Sequence, residues 1–255
     1  TKRLPERRFP ERADAAWRKF RSGDYDVVVL GDDNALKYLG PRFAATTDVP
    51  VVFLGINGNP RSYFDGPMPR RLTGVTERPL LALNMRMIEA VMPDAKRGLI
   101  LFDKGVTGRA SKRAMMRAKG RTGAFDFDIA MTREFATWKR HVRTAAAAGY
   151  DVIFAGLFLR QKGADGDVVP GETVLAWTRR NSDLPFFGFW GFAVGKGKAI
   201  GGVVLDGRDM GAAAGETVAT ILETGEIPPI DSVSSGQLVV SKSGFAAYDL
   251  PIAEF

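Results

Sequence analysis

Short runs of β-branched and other apolar residues alternate with amphipathic segments along almost the whole chain, and this alternation constrains the fold more than any other feature. Residues 51–56 and 152–155 are typical strand runs, and residues 79–91 have the spacing of a helix with one apolar face. Strands that alternate with helices are typical of βαβ units, in which the helices cover both faces of a parallel sheet. The sequence therefore predicts an α/β fold built from doubly wound parallel sheets.

The alternation divides into two series of unequal size. The first series contains only two predicted strands, whereas the second contains about five strands with covering helices. Two strands form a marginal sheet, so we expect the first lobe to be completed by the C-terminal tail, including a strand at 237–240, and by residues that precede Thr1. The prediction is a partial N-terminal lobe formed by residues 1–71 and 228–255, and a C-terminal lobe formed by residues 72–227.

Composition narrows the class of protein. Hydrophobic residues make up 45% of the 255 residues and charged residues 25%, which is close to the average of globular proteins. The longest apolar runs, such as residues 51–56, are far shorter than the ~20 residues that span a bilayer. The absence of cysteine excludes disulfides, thiolate metal sites and a cysteine nucleophile.

The net charge of +7 is compatible with a nucleic acid, an anionic ligand or a membrane surface, depending on where the charges lie. Basic residues group at positions 2–12 and 104–121. In the second group Ala110, Ala114 and Met115 fall at helical spacing between the charges, which predicts a helix with one solvated basic face. No helix-turn-helix, zinc-finger or RNP signature accompanies the charge, so no nucleic-acid partner is predicted.

Candidate binding residues follow several predicted strands directly. Open α/β sheets bind ligands outside the carboxyl ends of their strands, and the cleft between two such lobes is where we expect a ligand. The predicted ligand-binding residues are Asp33, Asn34, Asn57, Glu77, Phe158 and Trp190.

Each of these residues also has a structural interpretation. One of Asp32, Asp33 and Asn34 is expected to cap the following helix, and Asn57 is suited to a turn. Glu77 would complement a helix dipole. Trp190 stands at the end of a strand, where its indole ring could stack on a flat ligand and offer one N–H donor.

The residue types present give little support for catalysis. The single histidine, His141, is predicted to lie near the solvent side of a helix. There is no Cys/His pair, no zinc cluster and no convincing Ser/His/Asp order. We therefore predict no catalytic residues, no metal site and no cofactor.

Five segments in order resemble a known family. They are GDDNAL (31–36), VPVVFLGIN (49–57), LTGVTERP (72–79), MPDAKRGLIL (92–101) and FGFWGFAVGKGKAIGGVVLDGRDMGAAAGE (187–216). The chain resembles the type I periplasmic binding proteins of an uncharacterised ABC-transporter substrate-binding group, whose fold also serves as the sensory domain of membrane histidine kinases. It departs from the family pattern at Gly191 and Lys196, so the resemblance implies no particular ligand.

The resemblance implies a periplasmic or extracytoplasmic solute-binding protein that delivers a small molecule to a membrane ABC permease. The mixture of polar and aromatic candidates suggests an amino acid or a related carboxylate, enclosed by hinge motion near residues 55–76. Three alternatives stay open: the sensory domain of a membrane receptor kinase, an α/β enzyme acting on a sugar or nucleotide, and a repressor core.

Overall fold

The structure is a computed structural model that describes residues 6–120 and 125–252. The chain forms two compact units, and it passes between them three times. Unit 1 comprises the chain up to Arg78 together with Gly207–Ser234, and unit 2 comprises Pro79–Asp206 and the chain from Ser235 onward.

Ten strands and eight α-helices are found in the described residues. The strands are β1 (Val28–Gly31), β2 (Val51–Ile56), β3 (Leu72–Thr76), β4 (Arg97–Asp103), β5 (Asp126–Thr132), β6 (Val152–Ala155), β7 (Phe186–Gly188), β8 (Gly201–Val204), β9 (Asp231–Ser232) and β10 (Gln237–Val240). The helices are α1 (Phe9–Arg21), α2 (Asp33–Thr46), α3 (Leu81–Val91), α4 (Val106–Ala118), α5 (Phe135–Thr144), α6 (Gly171–Asn181), α7 (Gly207–Thr224) and α8 (Lys242–Ala246).

Unit 1 contains a four-stranded sheet in the order β1-β2-β3-β9, with every pair parallel. Strand β3 lies close to β2 because residue 74 is glycine: a Cβ there would lie 1.9 Å from the carbonyl oxygen of Phe53. Both faces of this sheet are covered. Phe53 packs with Leu36 and Phe43 of α2 on one face, and Val52 packs with Ala214 of α7 on the other.

Unit 2 contains a six-stranded sheet in the order β10-β8-β7-β6-β4-β5. Strands β4 to β8 are parallel to their neighbours, and β10 is antiparallel to β8. The buried indole of Trp138 on α5 donates to the hydroxyl of Thr178 on α6 at 2.9 Å, which joins the two helices that pack together on this unit. The aromatic run at β7 belongs to the core, since Phe186, Phe187 and Phe189 are fully buried.

The predicted α/β class is correct, but the predicted lobe boundaries misplace three stretches of chain. The prediction puts β3 and α7 in the C-terminal lobe, yet β3 pairs with β2, and α7 packs on β2 and β3. It puts the whole tail from residue 228 in the N-terminal lobe, yet only β9 joins that sheet, and β10 pairs with β8. These errors arise because strand order within a sheet is set by tertiary pairing, which chain order alone does not reveal.

The basic helix predicted near residues 108–121 is α4. Ala110 and Met115 are buried, whereas Arg113 and Arg117 are exposed, as expected for a helix with one solvated basic face. Residues 2–5 and 121 of the two predicted basic groups lie outside the described residues. Within residues 6–120 and 125–252 no helix combines the length and apolar character needed to cross a membrane.

Asn84 joins helix α3 to the sheet of unit 2 through its side chain. It is fully buried, its Nδ2 donates to the carbonyl oxygens of Leu80 and Val203 at 2.9 and 2.7 Å, and its Oδ1 accepts from the N–H of Val203 at 3.0 Å. The carboxamide therefore satisfies both backbone groups of Val203, in the way that a neighbouring strand would.

Replacing Asn84 with alanine is expected to destabilise the protein by about 2–4 kcal/mol, because the N–H and C=O of Val203 lose their partner in the interior. Urea unfolding measures the change. The matched control is Asn181→Ala, since Asn181 also donates to a carbonyl one helical turn back but is partly exposed; its cost is expected to be below about 1 kcal/mol. Equal losses in the two variants would contradict the role assigned to Asn84.

Candidate functional site

The four strands of the unit 1 sheet end at the same edge because they are parallel, and three of the predicted site residues meet there. Asp33 follows β1, Asn57 follows β2 and Glu77 follows β3. All three are at least 94% buried. The backbone N–H of Asn57 donates to Asp33 Oδ2 at 3.3 Å, and Asn57 Nδ2 donates to Glu77 Oε2 at 3.0 Å.

Asp32 supplies the helix cap that the sequence places at one of three adjacent residues. It has φ 77°, a region that L-residues rarely adopt, and its side chain accepts from the N–H of Asp33 at 2.8 Å. Its own N–H donates to the carbonyl of Leu54 on β2. The strained turn after β1 directs the next residue, Asp33, into the interior.

Asp33 organises the loop that follows β2. Its Oδ1 accepts from the N–H of Gly58 at 3.0 Å and from the hydroxyl of Tyr63 at 2.7 Å. Together with the bond to Asn57, these contacts hold the β1–α2 turn against the β2–β3 connection. Asp33 is therefore a positioning residue for this edge of the sheet, in addition to its predicted role as a ligand contact.

Arg78 completes this cluster, and no sequence pattern indicates its role. Its guanidinium donates to the carbonyl oxygens of Ile56, Asn57, Glu77 and Gly58 at 2.8–3.1 Å. The planar guanidinium fixes the backbone after β2 and β3 by binding four carbonyl groups at once. These carbonyl groups become neighbours only when the chain folds, so the role of Arg78 is seen in the structure and not in the sequence.

Asn34 occupies the first turn of α2 and is half-buried. Within the part of the chain that the structure describes, no protein group hydrogen-bonds its carboxamide. Its donors and acceptor are thus available at the same edge where Asp33, Asn57 and Glu77 meet.

Unit 2 has its own polar group at the carboxyl ends of its strands. Asp103, the last residue of β4, is 3% exposed; its Oδ1 accepts from the N–H of Gly105 at 2.9 Å, and its Oδ2 accepts from the N–H of Arg160 at 3.2 Å. Burial raises the pKa of this carboxyl above its usual value, and the two N–H donors and the charge of Arg160 only partly offset that effect. Asp103 is absent from the residues predicted for the site, although its position at the end of an apolar strand was a usable signal.

The aromatic candidates of unit 2 lie in two different environments. Phe158 is 1% exposed and belongs to the apolar core with Val174 and Leu175. Trp190 is also buried, and its ring stacks on that of Phe192 at a centroid distance of 6.3 Å. Phe192 is 47% exposed and also lies against Phe158 at 5.9 Å. The accessible ring of this group therefore belongs to Phe192.

Gln161 adds a buried acceptor near the end of β5. Its Nε2 donates to the carbonyl of Thr132 at 3.1 Å, while its fully buried Oε1 has no hydrogen-bond partner among the described residues. A buried polar atom without a partner is costly in a native protein. It marks a place where a donor from water or a ligand would be stabilising.

In residues 6–120 and 125–252 no group of three His, Asp or Glu side chains is placed to hold a metal ion. His141 lies away from the strand ends, beside a cavity of about 290 Å³ that Asp128, Tyr150 and small apolar residues also line. Burial and the nearby charge of Arg140 lower the pKa of His141.

Comparison with known proteins gives matches at the level of structure alone. No family model matches the chain, and no curated protein matches its sequence. Three solved structures superimpose on 96% of the chain. The first is an ABC domain from Streptococcus pneumoniae in complex with L-Trp (19% identity, 81% of that chain, TM-score 0.67). The second is a conserved domain protein from Vibrio cholerae (19% identity, 80% of that chain, TM-score 0.65). The third is the ligand-free, open form of a substrate-binding protein with adhesive properties from Clostridium difficile (13% identity, 80% of that chain, TM-score 0.67).

These likenesses confirm the fold that the sequence predicts. The chain has the α/β fold of the type I periplasmic binding proteins, with parallel sheets flanked by helices. Identities of 13–19% establish the fold and leave the ligand undetermined.

The raised pKa of Asp103 predicts a specific pH dependence. A carboxyl whose pKa is higher in the folded than in the unfolded state contributes stability that is fully present below the unfolded pKa of about 3.9 and is lost as the pH rises through the folded value. The advantage of the natural protein over Asp103→Asn should therefore shrink as the pH rises. Urea unfolding between about pH 3 and pH 7 measures it.

Asp128→Asn is the matched control with the opposite sign. The hydrogen bond from Arg97 lowers the pKa of Asp128, so the advantage of the natural residue should grow as the pH rises and be lost as it falls. Parallel pH profiles for the natural protein and Asp103→Asn would contradict the raised pKa.

Proposed function

We propose that this protein is an extracytoplasmic solute-binding protein that captures a small ligand and delivers it to a membrane ABC permease. The observation that carries the proposal is the pairing of this fold with two buried polar groups, one at the strand ends of each unit. Open α/β sheets bind ligands at these edges. The groups offer donors, acceptors and aromatic surface without a nucleophile paired to a base, which favours binding over turnover.

The proposed ligand is an aromatic α-amino acid. In unit 1 the residues that directly follow β1 and β3 include three carboxyl side chains, those of Asp32, Asp33 and Glu77. Carboxyl groups at this edge suit an ammonium group. Asn34 and Asn57 would supply the neutral hydrogen bonds of the same half-site.

Unit 2 offers aromatic rings at its own strand ends, those of Trp190 and Phe192, with Phe158 supporting the Phe192 ring from the core. Stacked or edge-to-face aromatic contacts contribute about 0.5–1.5 kcal/mol beyond the area they bury. That the similar Streptococcus pneumoniae domain is in complex with L-Trp supports this choice of ligand class.

Thermal unfolding with L-Trp, L-Phe, L-Leu and arabinose tests the proposal. A ligand at 100 times its dissociation constant adds about 2.7 kcal/mol, which corresponds to roughly 5–10 °C in a protein of this size. We expect a shift with the aromatic amino acids and a smaller one or none with the sugar. No shift with any amino acid would contradict the proposed ligand class.

Two analogues of L-Trp separate the proposed contacts. Indole-3-propionate lacks the ammonium group and tryptamine lacks the carboxylate. If the acidic side chains of unit 1 receive the ammonium, tryptamine should retain more affinity than indole-3-propionate. The opposite order would overturn that assignment.

Asn34→Ala tests the unit 1 half-site with little effect on folding, because the side chain is half-buried and makes no protein hydrogen bond within the described residues. Its stability is expected to change by less than about 0.5 kcal/mol, while the dissociation constant measured by titration calorimetry rises about tenfold or more. Lys37→Ala, an exposed residue one turn along the same helix, is the control and should bind normally. Unchanged affinity in Asn34→Ala would remove Asn34 from the site.

A further inference from the structure

Most of the net positive charge of this protein comes from helix α4 and the residues beside it. Residues 104–120 contain six Lys or Arg and no Asp or Glu. The rest of the chain has 30 basic residues against 29 acidic ones, so this segment accounts for almost the whole net charge of +7. Because basic and acidic residues nearly balance in the rest of the chain, the segment differs from it in charge.

Helix α4 places these charges on one side. Arg109, Lys112, Arg113, Met116 and Arg117 are spaced at i, i+3, i+4, i+7 and i+8, and we call these five residues the α4 basic face. At 100° per residue they span an arc of about 140°, and at 1.5 Å per residue they extend over about 12 Å. The opposite side of the helix packs inward through Ala110, Ser111 and Met115.

The charges of the α4 basic face form no ion pair among the described residues. No carboxylate in residues 6–120 and 125–252 lies within salt-bridge distance of Arg109, Lys112, Arg113 or Arg117, although Arg109 donates to the carbonyl of Lys104. Lys119, by contrast, contacts Asp126 at 3.0 Å and donates to the carbonyl of Phe127 at 2.6 Å. The neighbouring charge at the end of the helix is thus paired internally, whereas Arg113 and Arg117 of the face are exposed to solvent.

Met116 distinguishes this face from an ordinary solvated one. It lies among the four charges and is 46% exposed, as one of the few large apolar side chains that are strongly exposed in the described residues. Clusters of four or more Lys and Arg on an amphipathic helix attract anionic phospholipids, and an apolar side chain among them gains by entering the headgroup region. The face has no aromatic side chain on which nucleic-acid bases could stack.

We propose that the α4 basic face docks this protein on a bilayer surface rich in anionic phospholipids. The four cations contact headgroup phosphates, and Met116 enters the boundary between headgroups and acyl chains. The interaction is electrostatic and reversible. It uses the exposed face of helix α4, whereas the proposed solute-binding residues lie at the ends of the strands. It does not depend on the proposed ligand, so solute binding and lipid binding can fail separately.

Sedimentation of the full chain with vesicles tests the proposal. Vesicles of phosphatidylcholine mixed with phosphatidylglycerol should retain the protein, and vesicles of phosphatidylcholine alone should not. Retention should fall when the salt rises from about 0.1 M to about 1 M, because the Debye length shortens from about 10 Å to about 3 Å. No retention on the anionic vesicles at low salt would overturn the proposal.

The double variant Arg113→Gln with Arg117→Gln locates the surface. Each basic residue near an anionic membrane strengthens binding about fivefold, so the variant should bind about 25-fold more weakly. The control is Arg18→Gln with Arg21→Gln, which removes the same charge from exposed positions on α1 and should bind like the natural protein. Equal weakening in both double variants would show a general charge effect and overturn the assignment to α4.

Soluble competitors separate the lipid surface from other anionic partners. Inorganic phosphate and glycerol phosphate should displace the protein from vesicles only at concentrations where ionic strength alone does so. A duplex oligonucleotide or an acidic polypeptide that binds the α4 basic face more tightly than the anionic vesicles would overturn the choice of a bilayer. Thermal unfolding of each variant, with a midpoint close to that of the natural protein, ensures that the comparison is between folded proteins.

Discussion

Parallel strand pairing is the constraint on which the rest of this structure depends. A parallel sheet needs crossover connections and cover on both faces, and in unit 1 this cover comes from α2 on one side and α7 on the other. The same pairing brings the carboxyl ends of β1, β2, β3 and β9 to one edge. Polar side chains that are far apart along the chain, such as Asp33 and Glu77, are thereby collected beside each other without any local sequence relation.

The buried carboxyl groups of the two units have different hydrogen-bond partners. In unit 1 the buried carboxylate of Asp33 accepts hydrogen bonds from two backbone N–H groups and a tyrosine hydroxyl, and Arg78 donates to four backbone carbonyl oxygens. In unit 2 the carboxyl of Asp103 is held by two N–H donors that do not fully offset its burial. The hydrogen bonds of the unit 1 group hold its side chains in place, and such preorganisation would lower the entropic cost of the ligand binding proposed above.

Much of the fold was accessible from periodicity, whereas the pairing of the segments was not. The spacing of β2, α3 and β6 predicted those elements, and the position of Asp33 and Asn57 after apolar strands predicted where they would meet. The assignment of β3 and β10 to the wrong lobes, and the omission of Arg78, have one cause. Each depends on which segments become neighbours in three dimensions, and neither Leu72–Thr76 nor Gln237–Val240 contains a signal for its partner. An aromatic residue that follows a strand can belong to the core or to the surface, and the local sequence does not distinguish the two. Phe158 is such a residue, and it belongs to the core.

The late return of α7 and β9 to unit 1 has a consequence for synthesis of the chain. Val52 and Val75 form a core with Ala214 and Ile221, so one apolar face of the first sheet has no cover until more than two hundred residues have been made. Unit 2 has five parallel strands in one stretch between Arg97 and Val204, but its edge strand β10 and the fully buried Phe245 come later still. The apolar face of the unit 1 sheet therefore stays uncovered on the ribosome while most of unit 2 is synthesised. Such a face is the kind of surface that chaperones bind and that promotes aggregation when they do not.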